Sequence, residues 1–244
     1  MNKTGTFYNI HSNTKFMMPK NLTIIDNMAE LKLAGQKMMK SEKMEYPSEP
    51  ILIVDIEGNG RHPPELVEIS IQRFEPNSIK EPENYSWLIK PTNPIAWQVT
   101  KIHGIKNSDV ANKPSWDDIK EDVTSMLEKS WFVAHHAKVD YDVLKRLIPE
   151  WEPIGIIDTL RLAKKILPDA PSYSLENLIK FTKILQPCSK SFHRASFDVQ
   201  ATSELFKHLI IKSEYSQWDD ICNISQITPP SKNADTSPIQ GELW

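Results

Sequence analysis

Short blocks of apolar and polar residues alternate along the chain, and each block has a readable period. ILIVDIE (51–57) is continuously apolar and rich in β-branched residues, as a strand buried on both faces should be. VEISIQRFE (67–75) alternates with a period of two, and NYSWLIKP (84–91) is a third strand candidate. Loops short enough for an antiparallel meander join the three. PSWDDIKEDVTSMLEKS (114–130) then carries a helical pattern, followed by the strand WFVAHH (131–136). DYDVLKRLI reads as helix and IGIID as strand, and TLRLAKKIL, SLENLIKFTKIL and SFDVQATSELFKHLII read as three more helices. A meander followed by alternating helix and strand predicts an α/β fold, with a mixed five-stranded sheet flanked by helices.

The flanks have a different character. Ile24, Met28, Leu31 and Met38 recur at roughly helical spacing, with Asn21 or Asp26 available as a cap and Pro47 and Pro50 to end the segment. Residues 1–48 therefore predict an N-terminal helical extension packed on the core, and 49–212 the globular domain. Beyond Lys212 the Pro- and Ser-rich ITPPSKNADTSPIQ predicts a flexible tail over 213–244. The extension holds seven lysines against four acids and the tail one lysine against five acids, within a chain of formal charge −3. That total excludes a strongly basic coat but not a local groove that meets phosphates. Cys188 and Cys222 are too few for a disulfide framework, and no apolar run is long enough for a signal core or a membrane span. A cytoplasmic protein without a membrane partner is expected.

Chemistry enters with acids in places that should be apolar. Asp55 and Glu57 are two apart on a buried strand, so their side chains share a face. Asp140 shares a helical face with Val143, Leu144 and Leu147, whereas Asp142 aligns with Lys145 and Arg146; Asp140 should point inward and Asp142 outward. Asp198 falls on one stripe with Ala201, Leu205 and Leu209, the stripe that should face the core. Four unpaired carboxylates directed at one sheet repel one another, and desolvation adds to the cost. Hard divalent cations resolve that conflict, because oxygen ligands suit magnesium or manganese. Two such ions about 4 Å apart suit phosphodiester cleavage. His193, just upstream of the last helix, can act as general base.

The three motifs stand in order as DIE (55–57), HHAKVD (135–140) and HRASFD (193–198), and they resemble those of the DEDDh, or DnaQ-like, 3′–5′ exonucleases. LVEIS, PIAWQVTKIHGI (94–105), IIDTLRLAKKI and SLENL match supporting stretches, and SWFVAHHAKVDYDVL is most similar to the exonuclease X branch. The likeness covers about residues 49–212. It implies an RNase H-like fold, two divalent ions and release of nucleoside 5′-monophosphates from a 3′ end. Carried over by position, Asp55, Glu57 and Asp198 would hold one ion. Asp55 would bridge to the second, which Asp140 would reach directly or through water, and His193 would be the base. Gly58, Asn59, Gly60, His103 and Gly104 would border the terminal nucleotide, with His136 beside the substrate pocket. Gly58 stands where the family usually has Thr, His136 where it commonly has Asn and Val139 where it has Phe. Those departures spare the metal ligands and alter groups near the substrate.

Trp97 and Trp116 fit core packing better than base stacking, and Lys138, Lys190 and Arg194 are placed to contact backbone phosphates. The expected activity is a metal-dependent 3′–5′ exonuclease on DNA, in repair or replication. An exoribonuclease or short-oligonucleotide hydrolase of the same family is the alternative, and a non-catalytic nucleic-acid-binding module the alternative of another class. The terminal Gln240-Gly241-Glu242-Leu243-Trp244 resembles the peptide by which bacterial replication and repair proteins dock on the sliding clamp. Gln240 would supply hydrogen bonds there, and Leu243 and Trp244 an apolar anchor.

Overall fold

A computed structural model describes residues 44–78, 82–184 and 193–228. The predicted extension helix and the terminal peptide around Gln240, Leu243 and Trp244 lie outside these residues. Strands β1 (Ile51–Gly58), β2 (Leu66–Arg73) and β3 (Asn84–Leu88) form the predicted antiparallel meander. β4 (Trp131–Ala134) pairs in parallel with β1, and β5 (Gly155–Asp158) in parallel with β4. The sheet has six strands rather than five, in the order β3-β2-β1-β4-β5-β6. The addition is β6 (Gln226–Ile227), antiparallel to β5. Two residues are too few to show any period, so no sequence pattern could announce it.

Alternation along β1 assigns the two layers. Ile51 and Ile53 face α5 (Thr159–Ile166), α6 (Leu175–Thr182), α7 (Ala195–Ser213) and α8 (Trp218–Ser225), in a core with Leu162, Leu178, Leu205 and Phe206. Leu52 and Val54 face the opposite layer, packing with α3 (Trp116–Leu127) and α4 (Lys138–Leu147) through Val123, Leu127, Tyr141 and Leu144. Two short helices, α1 (Trp97–His103) and α2 (Asn107–Val110), complete the connection from β3. Continuing the odd register, Asp55 and Glu57 fall on the α7 face, at the end of the strand where pairing shifts between Glu57 and Gly58.

The folded region continues past residue 212. Within 213–228, Trp218 and Ile221 are buried in the α7-side core, and Trp218 packs edge-on against Trp131 and Phe206. Trp218, Ile221, Cys222 and Ile224 span only two turns on an eight-residue helix, a weak signal beside acids, so composition alone misses it. At the other end Met44 is buried, Glu45 bridges to Gln217, and Tyr46 packs against Phe74 and Trp218. The Trp131 ring lies over Gly155 of the neighbouring strand; a Cβ there would stand 2.3 Å from a ring carbon.

β2 also departs from its period. Its alternation suggests one solvent face, yet Glu68, Ser70 and Gln72 are as buried as Val67, Ile69 and Ile71. α7 covers the polar set: Gln72 Nε2 donates to Ser203 Oγ at 3.1 Å, and Ser70 bonds Ser86 on β3. Each of these polar side chains has a protein partner on α7, its N-cap or β3.

Candidate metal and active site

Asp55, Glu57 and Asp198 come together as the first and third motifs predict. One ligand oxygen from each lies within 4.8 Å of the others. β1 supplies the first two from one face, and the first turn of α7 supplies Asp198 from above. Asp198, Ala201, Leu205 and Leu209 are all buried, as their shared stripe requires. Asp140 arrives from the first turn of α4 on the other layer and is buried, whereas Asp142 is exposed and pairs with Lys138 at 2.5 Å. The helix phase read from DYDVLKRLI is therefore the observed one.

The electrostatics of this cluster are unfavourable without a cation. Burial pushes Asp55 well above the usual carboxylate range, and the charges of Asp140, Asp198, Glu57 and Glu68 push it further. Burial raises Glu57 to about 8, helped by Asp198 and Glu68. It raises Asp140 to about 8 as well, against opposing hydrogen bonds from the main chain of Asp140 and Ile56. Asp198 rises to about 7, again mainly by burial, although it accepts the His193 N–H at 2.9 Å on Oδ2. Its other oxygen, Oδ1, is buried with no hydrogen-bond partner among the described residues. Buried acids that repel, plus an orphaned acceptor aimed among them, are what an all-oxygen donor set for a hard divalent ion presents.

His193 sits at φ 64° just before α7, with its side chain exposed at the rim and its main chain tied to Asp198. His103 is buried at the end of α1. Nδ1 accepts the Ile105 N–H at 3.0 Å, so the ring is the Nε2–H tautomer, and burial lowers its pKa. His135 is held between Thr159 Oγ1 and the Tyr173 carbonyl, while His136 is exposed at φ 65°, its N–H donated to Asp158. Gly60 has φ 72° and no room for a Cβ, which would stand 2.9 Å from Val99; Gly104 ends α1 in the left-handed region.

Asn59 does not fit the substrate-facing position expected of it. Its side chain is fully buried: Oδ1 accepts the N–H groups of Arg61 and Glu65, and Nδ2 donates to the Asn93 carbonyl and Glu65. A saturated amide staples two loops together and has nothing left for a ligand. Trp97 reverses the packing expectation: it is 62% exposed, with Lys101 Nζ 4.1 Å from its ring centroid, while Trp116 is partly buried as expected.

Two acids beside the cluster escape a reading by motif. Asp158 caps α5, accepting the N–H of Leu160 at 2.9 Å and of His136 at 3.0 Å; Asp at a strand-to-helix junction was the available signal. Glu68 is paired to Arg194, whose guanidinium is thereby engaged with protein rather than standing free for phosphate. Only the β2–α7 contact reveals that pair.

A buried carboxylate cluster at the end of the first strand of such a sheet defines an RNase H-like fold with a site able to bind divalent metal. Residues 52–206 match the RNase T exonuclease family model, and the chain belongs to that family, as a DnaQ-like member of the DEDDh type. Exodeoxyribonuclease 10 of Escherichia coli K12 is 34% identical over 122 residues, 49% of this chain and 51% of its own. The PolC-type DNA polymerase III of Thermotoga petrophila is 31% identical over 172 residues, 68% of this chain and 12% of its own. Exonuclease X, solved in complex with 5′ overhanging duplex DNA, superposes with a TM-score of 0.58 at 29% identity, covering 71% of this chain and 98% of that one. The chain spans about half or less of the length of these curated relatives.

Proposed function

We propose that the protein is a metal-dependent 3′–5′ exonuclease that removes nucleoside 5′-monophosphates from DNA, in repair or replication. The observation that carries this reading is the Asp55–Glu57–Asp198 group, with ligand oxygens within 4.8 Å of one another and Glu57 and Asp198 buried. Those three side chains and Asp140 would hold two magnesium or manganese ions. Such ions supply Lewis-acid charge for the attacking water and the leaving oxygen. Asp55 would contribute to holding both ions, and Asp140 to holding the second. His193 takes the proton of the water as its oxygen bonds phosphorus and the P–O3′ bond breaks. The neutral His103 ring turns an N–H donor rather than a charge toward this end of β1. The glycine-flanked turn 58–60, Gly104 and His136 border the terminal nucleotide, and Asn59 holds that turn in place.

DNA is favoured because the similar exonuclease X was solved in complex with duplex DNA and the relative from Escherichia coli is named an exodeoxyribonuclease. The decisive experiment incubates the full chain with 5′-labelled single-stranded DNA, overhanging duplex and RNA, in magnesium, in manganese and in chelator. Metal-dependent shortening of DNA from the 3′ end, faster than of RNA, is expected. Faster RNA cleavage replaces DNA by RNA as the substrate, and no cleavage in either metal refutes the enzyme reading. The terminal Gln240–Trp244 peptide docks the enzyme on a bacterial sliding clamp, with 228–239 as tether. Deleting 240–244 should abolish clamp binding by calorimetry while hydrolysis of a short oligonucleotide is unchanged; clamp binding by the deletion variant refutes the assignment.

A further inference from the structure

Glu68 and Arg194 lie beside the carboxylate cluster and have no role in the chemistry above. Register sets Glu68 of β2 directly opposite Glu57 of β1, where like charges repel, and Glu68 is only 2% exposed. Its carboxylate gathers three donors from the start of α7. Arg194 Nε–H reaches Oε2 at 3.0 Å, Arg194 Nη2–H reaches Oε1 at 2.9 Å, and the Ala195 N–H reaches Oε2 at 3.0 Å. Arg194 is the N-cap of α7 but makes no cap bond with its own side chain. A glutamate on another strand therefore satisfies one of the helix's open N–H groups. The preceding residue, His193, is held by its N–H to Asp198. Residues 193, 194 and 195 are thus each bound to a carboxylate, one on α7 itself and one on the strand paired with β1.

We propose that the Glu68–Arg194 pair is a positioning latch, which fixes the start of α7 against the sheet and so sets Asp198 and His193 relative to Asp55 and Glu57. Its consequence for turnover rests on the exonuclease reading; its consequence for metal binding does not. A bidentate fork fixes direction as well as charge, and lysine, a single point donor, cannot replace it. Partners that orient metal ligands typically change affinity or activity by about 10–100-fold when lost.

The test uses the full chain with Arg194→Lys and the doubly neutral Glu68→Gln/Arg194→Gln. Mn2+ binding is measured by calorimetry, thermal midpoint in chelator, and kcat and KM on a short oligonucleotide. Arg194→Lys should bind Mn2+ about tenfold more weakly and lose about 10–100-fold in kcat, with KM little changed. Its metal-free midpoint should stay within about 2 °C of wild type, a change of about 1 kcal/mol or less. The double variant removes the buried charges together, so its midpoint should hold while the metal defect persists. Wild-type Mn2+ affinity and kcat in Arg194→Lys overturn the latch, as does a loss confined to KM, which would make Arg194 a phosphate contact. Restoration of Mn2+ affinity in the double variant also overturns it, because charge compensation alone would then explain the pair. A wild-type protein that binds Mn2+ but cleaves nothing instead refutes the exonuclease reading and leaves the metal-affinity arm to judge the latch.

Discussion

Replacing Asp198 by Asn should make the metal-free protein more stable at pH 8, although it removes a ligand. The carboxyl rises from its ordinary 3.8 to about 7 in the fold. Between those values the native state holds a proton that the unfolded chain has released, so stability falls as pH rises through the window. Below about 4 the two states bind protons alike, and above about 7 the penalty is complete. At 1.36 kcal/mol for each tenfold, the full penalty is about 4 kcal/mol. Asn removes it but must bury an amide. Its oxygen can keep the His193 N–H, while its NH2 takes the place of Oδ1, which has no partner among the described residues. An unpaired buried donor costs about 1–3 kcal/mol, leaving a net gain of about 1–3 kcal/mol. For a domain of this size that is a rise in midpoint of about 3–10 °C. Differential scanning fluorimetry in chelator at pH 8 and pH 4.5 measures it, and most of the gain should vanish at the lower pH. Saturating magnesium should then stabilise the wild type by mass action and the variant much less. A wild type at least as stable as Asp198→Asn at pH 8 in chelator would refute the claim that burial makes the Asp198 carboxylate costly in the metal-free fold.

The remaining predictions are simpler. Asp140→Ala should abolish metal-dependent hydrolysis, while Asp142→Ala, which loses only an exposed pair with Lys138, should keep wild-type turnover and lose about 0.5 kcal/mol or less in stability; an active Asp140→Ala would remove that residue from the site. His193→Ala should lower kcat by about 10²–10⁴ with Mn2+ affinity changed little, as loss of a general base requires. A calorimetric collapse of Mn2+ binding in that variant would point to a ligand instead. Gly155→Ala places a Cβ 2.3 Å from the Trp131 ring and should cost about 1–3 kcal/mol in urea unfolding at unchanged metal affinity; a neutral result would mean that the Trp131 ring is free to move.

Sequence alone determined the first five strands and the inward turn of Asp55, Glu57, Asp140 and Asp198. β1 is legible because a buried strand must be apolar throughout, which makes Asp55 and Glu57 conspicuous. Asp140, Asp142 and Asp198 are legible because helical period relates each to apolar neighbours a few residues away. All of that information is local in the chain. The tertiary structure alone decided whatever depends on a distant partner. Glu68, Ser70 and Gln72 carry the pattern of an exposed strand face and are buried because α7, more than a hundred residues later, covers them. Arg194 has the composition of a phosphate contact and is paired because Glu68 reaches it first. Asn59 sits in a glycine-flanked turn and is consumed by loop contacts to residue 93, while Trp97 is exposed because Val99 and His103 occupy the buried face of its helix. α8 joins the domain through Trp218 and Ile221, which pack into the α7-side core, and β6 through its pairing with β5. Periodicity records which way a side chain points within its own element; what it meets there is set by packing between elements far apart in the chain.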